Sequence, residues 1–134
     1  MYGSLDISTS ALVAQRIRME AISANMALRS AVVDPSKNPD DFRRRLAIFS
    51  PGDPSSGSDQ GVHVREIMLD PSDFVREHDP GHPFADAQGY IRKPNIDSAM
   101  EMVNALDAAR AYEANITAAE ATKSMMQSAL RLLV

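Results

Sequence analysis

Apolar positions along this chain form two periodic runs, one at each end, with an aperiodic middle. In the first run Leu5, Leu12, Met19, Ile22 and Met26 recur at spacings of seven, three and four, with Gln15 as a polar interruption. That spacing puts one apolar stripe on one face of a helix. The hydroxyls of Ser8, Thr9 and Ser10 are N-cap candidates. The pattern therefore predicts a helix that begins there, runs about 20–25 residues and stops near Arg29 or Ser30.

The second run is longer. Met102, Ala105, Ala109, Tyr112, Ile116, Ala119, Lys123, Met126, Leu130 and Leu133 alternate spacings of three and four, and only Lys123 is charged. No proline or glycine follows Pro94. Asp97 or Ser98 should cap this helix. At ~1.5 Å per residue it would be on the order of 50 Å long, more than the width of a compact domain of this size. The chain should therefore be extended. The seam is rich in alanine, which lets helices approach closely but buries little area at ~25 cal/mol per Å². Ordering a residue costs roughly 1–2 kcal/mol. The helix pair is expected to be marginal alone and stable once neighbours cover it.

Between the runs, prolines and glycines concentrate over residues 35–83. SPGDPSSGSDQG (50–61) reads as a mobile loop. Strand candidates flank it. Residues 42–49 carry Phe42, Leu46, Ile48 and Phe49. Over 62–69 the alternation changes phase, from Val62 and Val64 to Ile67 and Leu69, which predicts a bulge or an edge strand. Residues 74–76 and 90–92 add small pieces. The expected fold is mainly α with a small β module. Residues 1–30 and 94–134 would form one axial domain, their helices paired as an antiparallel coiled-coil-like hairpin. Residues 31–93 would form the insert. The two seams supply candidate assembly positions: Leu12, Met19, Ile22, Asn25 and Met26 on the first, and Met102, Ala105, Ala109, Tyr112, Asn115, Ile116, Ala119, Met126 and Leu130 on the second.

Composition narrows the chemistry. The chain is 44% hydrophobic but only 5% aromatic, with no tryptophan. Its net charge of −4 is spread along the sequence. Arg43-Arg44-Arg45 is the one basic run and is expected to be a solvated face, so nucleic acid is not an expected partner. The absence of cysteine excludes disulfides, thiolate metal sites and thiol catalysis. No basic n-region and apolar h-region open the chain, so no cleaved signal peptide is expected. No window of ~18 apolar residues predicts membrane insertion.

One cluster has metal-ligand residue types: His78 and His82, with Asp79 and Asp86. Prolines 80 and 83 forbid the helix that would put both histidines on one face. Asp79-Pro80-Gly81-His82 instead has the residue order of a type II turn. Asp79, Pro80, Gly81, His82, Pro83, Gly89, Tyr90, Pro94 and Asn95 are thus expected to form a turn and a tether into the second helix. His63 reads as a half-exposed strand residue. Asp70-Pro71-Ser72 reads as an Asx or proline turn. Asn25 and Asn115 could be solvent-facing or could set register between helices.

Several segments resemble a known family. SALVAQRIRMEAISANMA (10–27), FRRRLAIF (42–49), GVHVREIMLDPSDF (61–74), DPGHPFADAQGYIRKPNID (79–97) and EMVNALDAARAYEANITAAEATKSMMQSAL (101–130) are similar, in order, to signature stretches of the bacterial flagellar basal-body rod proteins, most specifically the proximal-rod family. The chain departs from that pattern at Leu28 and over AVVDPSKNPDD (31–41). The resemblance implies a structural subunit without catalysis or cofactor, assembling helically through its terminal helices. It implies export by the flagellar type III apparatus and assembly in the periplasm. The implied partners are copies of itself, other rod proteins, the ring-to-rod adaptor and the export apparatus, with no small-molecule substrate. Alternatives are another axial flagellar subunit of the rod or hook, a secreted coiled-coil adaptor that never polymerises, or a metal-dependent hydrolase using His78, His82 and Asp86.

Overall fold

The computed structural model describes residues 2–54 and 57–132. Two long helices bracket two small antiparallel sheets. Helix α1 spans Tyr2–Leu28, strand β1 Arg45–Asp53, β2 Ser58–Leu69, β3 Val75–His78, β4 Tyr90–Lys93, and helix α2 Ser98–Leu132. β1 pairs with β2 and β3 with β4, each pair forming its own two-stranded sheet. Both β1 and β2 pack on α1, and α1 also packs on α2. The insert is a small β region of two separate hairpins. Its larger hairpin lies against the first helix.

Helix α1 starts well before the expected cap. Ser8 and Ser10 sit inside it. Ser10 Oγ donates to Ile7 O at 2.7 Å and accepts the backbone N–H of Val62 at 3.1 Å. Gly3 lies so close to the hairpin that a Cβ there would stand 3.2 Å from Gln60 Oε1. The helix extends because β2 supports its first turns, a tertiary contact that local capping chemistry does not reveal. Helix α2 begins where expected. Asp97 caps it, its Oδ1 accepting from Ala99 N at 2.8 Å and its carbonyl from Glu101 N at 3.0 Å. Its 35 residues span on the order of 50 Å.

The region expected to be a mobile loop is mostly strand. The β1–β2 ladder carries Ser50, Pro51 and Asp53 opposite His63, Val62 and Ser58. Glycines at positive φ, 84° at Gly52 and 92° at Gly61, let the hairpin continue through a proline- and glycine-rich stretch. Ser55 and Ser56 of that stretch lie outside the described residues, as does Leu133. Phe42 belongs to a short 3₁₀ turn over Pro39–Phe42 rather than to β1. The expected irregularity in β2 is present. Ile48 faces Glu66 but Phe49 faces Val64, so Arg65 is the extra residue that switches the phase.

The fully buried apolar residues are few and mostly small: Ala14, Ala21, Ile22, Val33, Ile91 and Ala108. Buried beside them are Asn25 and Glu101, each 1% exposed. The Asn25 amide donates to Glu101 Oε2 at 3.0 Å and to Arg45 O at 2.9 Å, and its carbonyl oxygen accepts Arg45 N at 2.7 Å. Arg44 holds Glu101 Oε1 through Nε at 2.7 Å and a terminal nitrogen at 2.6 Å. Asn25 is thus a register-setting residue that joins α1, β1 and α2. Asn115 is neither of the things expected. It is half-buried and its amide bonds Ala111 O of its own helix at 2.7 Å.

Of the arginine run only Arg45 is exposed, and Arg43 and Arg44 are half-buried and partnered. Arg43 donates to the carbonyls of Asp70 and Ser72 at 3.1 and 2.8 Å, and its guanidinium lies 4.9 Å from the Phe74 ring centre. Arg44 pairs with the buried acid, and Arg45 gives its backbone to Asn25. Removing one partner of a buried ion pair leaves the other uncompensated. Glu101→Ala should cost roughly 3 kcal/mol, the low end of the range for such pairs because Arg44 keeps some water contact. It should be read as a lower urea midpoint at unchanged slope. Glu66→Ala, which removes only the exposed pair with Arg65, should cost less than about 1 kcal/mol.

Candidate assembly surface

The predicted α2 seam is split between two faces. Ala105, Tyr112, Ala119 and Met126 lie on the covered side, all at least half-buried. Of the alternate members, Met102 is 60% and Leu130 64% exposed, Ile116 and Lys123 are exposed too, and Ala109 is half-buried. Their places are taken one residue earlier by Glu101, Ala108, Asn115, Thr122 and Ala129, which are buried or half-buried. The packed row therefore runs 101, 105, 108, 112, 115, 119, 122, 126, 129, a three-four alternation one step out of phase at every other position. One residue is about 100° of helix rotation. Lys123 does not interrupt this row because it is not in it. A row with an acid, an asparagine and a threonine carries no hydropathy signal, which is why sequence reading chose the more apolar one.

The rotation leaves an apolar surface uncovered. Met100, Met102, Val103, Leu106, Met125 and Leu130 are all more than half exposed. Six of the predicted positions border it, Ile22 and Ala105 from the covered side. Met19, Ile22 and Met26 of α1 and Met102, Ala105 and Ala109 of α2, with Ser23 and Leu106, line a shallow groove of about 650 Å³. Leu12 is half-buried on α1 and is not part of it. Exposed apolar rows of this size mark interaction surfaces. Sequence reading missed Leu106, which carried the same apolar signal one position outside the chosen heptad.

The predicted turn forms, with a different geometry. Gly81 is not among the described glycines with positive φ, so Asp79–His82 is not a type II turn. His82 N donates to Asp79 O at 3.2 Å, and Ala85 N to His82 O at 3.0 Å, giving two successive turns. Pro80 fixes φ at the first corner but does not require the left-handed residue after it. The left-handed position is Gly89, at φ 82°, where a Cβ would meet Pro80 Cβ at 3.0 Å and His78 Nε2 at 3.3 Å. Gly89 thus locks the segment closed. His82 acts as a turn residue: Nδ1 accepts from Phe84 N at 3.1 Å and the ring leans on Phe84. The His78 ring meets Tyr90 edge-on at 5.0 Å. Pro83 is exposed, Pro94 is buried before the helix, and Asn95 donates to Ser72 Oγ at 3.3 Å.

Two aspartates tie these turns. Asp86 Oδ1 accepts from Gln88 N and Tyr90 N, both at 2.9 Å, and its other oxygen faces Arg76 at 3.2 Å. Asp70 accepts from Ser72 N at 2.9 Å, the expected Asx turn. The Tyr90 N–H foremost holds the Asp86 carboxyl below its ordinary value of 3.8. The Ser72 N–H does the same for Asp70.

Two long helices packed on each other, with an apolar outer row and tied-down turns, have the form of a structural subunit that packs against neighbours. Residues 87–132 match the family profile described as flagellar basal body rod FlgEFG protein C-terminal. The flagellar basal-body rod protein FlgC of Bacillus subtilis is 39% identical over 98% of this chain and 97% of its own length. That of Yersinia enterocolitica is 39% identical over 95% and 93%, and that of Aquifex aeolicus 37% over 95% and 92%. The chain belongs to the FlgC family of flagellar basal-body rod proteins. It is a structural subunit of the basal body, and among its described residues no helix is long and apolar enough to cross a membrane.

Two outcomes follow from this geometry. Ala108→Leu, at a fully covered position, should cost about 1–3 kcal/mol by overpacking. Met102→Gln, from the exposed row, should change the free subunit by no more than about 0.5 kcal/mol. Denaturant titration of both variants checks the register. Asp86 and Asp70 hold protons less tightly folded than unfolded, so their stabilisation is present above pH 3.8 and is lost as pH falls through their lowered values. Thermal midpoints measured against pH should be level down to about pH 5 and fall below it, with a smaller fall in Asp86→Asn.

Proposed function

We propose that this chain builds the proximal rod, its terminal helices paired as an antiparallel coiled-coil-like hairpin lining the central channel. Two contacts support that pairing: Arg29 donates to Ser98 Oγ at 2.6 Å, and Asn25 meets Glu101 at 3.0 Å. As α1 runs back from 29 to 25, α2 runs forward from 98 to 101. The observation that carries the reading is the uncovered apolar row of α2 (Met102, Val103, Leu106, Leu130) beside the groove lined by Met19 and Met26. The row is not satisfied within one subunit. Different patches meet head to tail, so contacts propagate helically instead of closing.

In this reading residues 1–30 and 94–134 form one axial domain, and residues 31–93 brace outward toward neighbours. The partners are copies of itself, other rod proteins, the ring-to-rod adaptor and the export apparatus. The subunit passes through the flagellar export apparatus, assembles in the periplasm, and needs neither catalysis nor cofactor. The helix ends remote from the Glu101 contacts order fully only on assembly.

Ile116→Asp tests the proposal. The variant should be exported at the normal level yet be missing from isolated basal bodies, with motility lost. Normal motility with the variant incorporated would contradict the proposed seam.

A further inference from the structure

We infer that the outer face of the β3–β4 hairpin is a docking pocket for a carboxylate on α2 of a neighbouring copy of this chain. This rests on the rod reading and names a contact within it. Arg76 and Arg92 are directly opposite cross-strand partners. Like charges at opposed positions destabilise a two-stranded sheet. Asp86 sits 3.2 Å from Arg76, whereas Arg92 forms no ion pair among the described residues and only lies over Phe74, 5.7 Å from the ring centre. The patch therefore keeps an uncompensated positive charge.

Beside the two guanidiniums is a hollow of about 470 Å³ walled by Val33, Phe84 and Tyr90. Phe84 and Tyr90 are 39% and 38% exposed, and the Arg76 guanidinium stacks 4.7 Å from the Tyr90 ring centre. Paired guanidiniums beside aromatic faces suit a carboxylate carried next to an apolar side chain. The chain supplies such a partner. Asp107 and Glu113 are exposed on α2, their side chains in no ion pair or hydrogen bond among the described residues. Leu106, 58% exposed, adjoins Asp107. On one subunit the basic pocket is on a hairpin and the acids are on a helix, so the contact joins two different patches and can repeat head to tail from copy to copy.

Sedimentation velocity of the full chain over a concentration series, at low and high salt, tests this. Wild type should self-associate, and more weakly as salt rises. Arg92→Glu and the milder Arg92→Gln should each fold normally and weaken association about tenfold or more. Pairing Arg92→Glu with Asp107→Arg or Glu113→Arg should restore it. Association that ignores salt and Arg92, or no association in wild type, overturns the inference. So does failure of both charge swaps. Because wild-type incorporation into basal bodies is scored separately, that failure would leave the rod reading standing.

Discussion

The Glu101 carboxylate is 1% exposed and must have a compensating partner wherever the fold puts it. An unpaired buried carboxylate costs several kcal/mol even after relaxation, more than this thin, alanine-rich core can absorb. Arg44 and Asn25 are that compensation, and they come from β1 and α1. The long helix is therefore tied to the hairpin as well as to α1, and the three elements share one buried polar anchor. The same contact fixes α2 in rotation. With Glu101 pointing inward, Ala108, Asn115 and Thr122 follow at intervals of seven, and Met102 and Leu130 must turn outward.

Much of this was legible in the sequence. The two helices, the Asp97 cap, the phase change at Arg65 and the small strands near 75 and 91 were each announced by spacing or turn chemistry. What was hidden depended on contacts between distant residues. The early start of α1 depends on Gln60 and Val62. The strand character of 50–61 depends on two glycines adopting positive φ against a partner strand. The rotation of α2 depends on an ion pair across 57 residues of sequence. Hydropathy chose the most apolar row as the inner one. The polar anchor overrode it and sent that row outward, where a subunit that must bind neighbours needs it.

The Asp79–Pro83 segment shows the same limit on a smaller scale. The prolines announced a turn, but residue order alone put the left-handed glycine at 81 when packing against Pro80 and His78 puts it at 89. Of the two histidines, His82 accepts a backbone amide and His78 packs its ring against Tyr90.

A density map of isolated basal bodies, resolved well enough to trace side chains, tests the central claim most directly. The account predicts Glu101 against Arg44 and Asn25 within each subunit, with Met102, Leu106 and Leu130 buried against neighbouring subunits. Glu101 separated from Arg44 in the assembled rod, or that apolar row left facing open solvent, would contradict it.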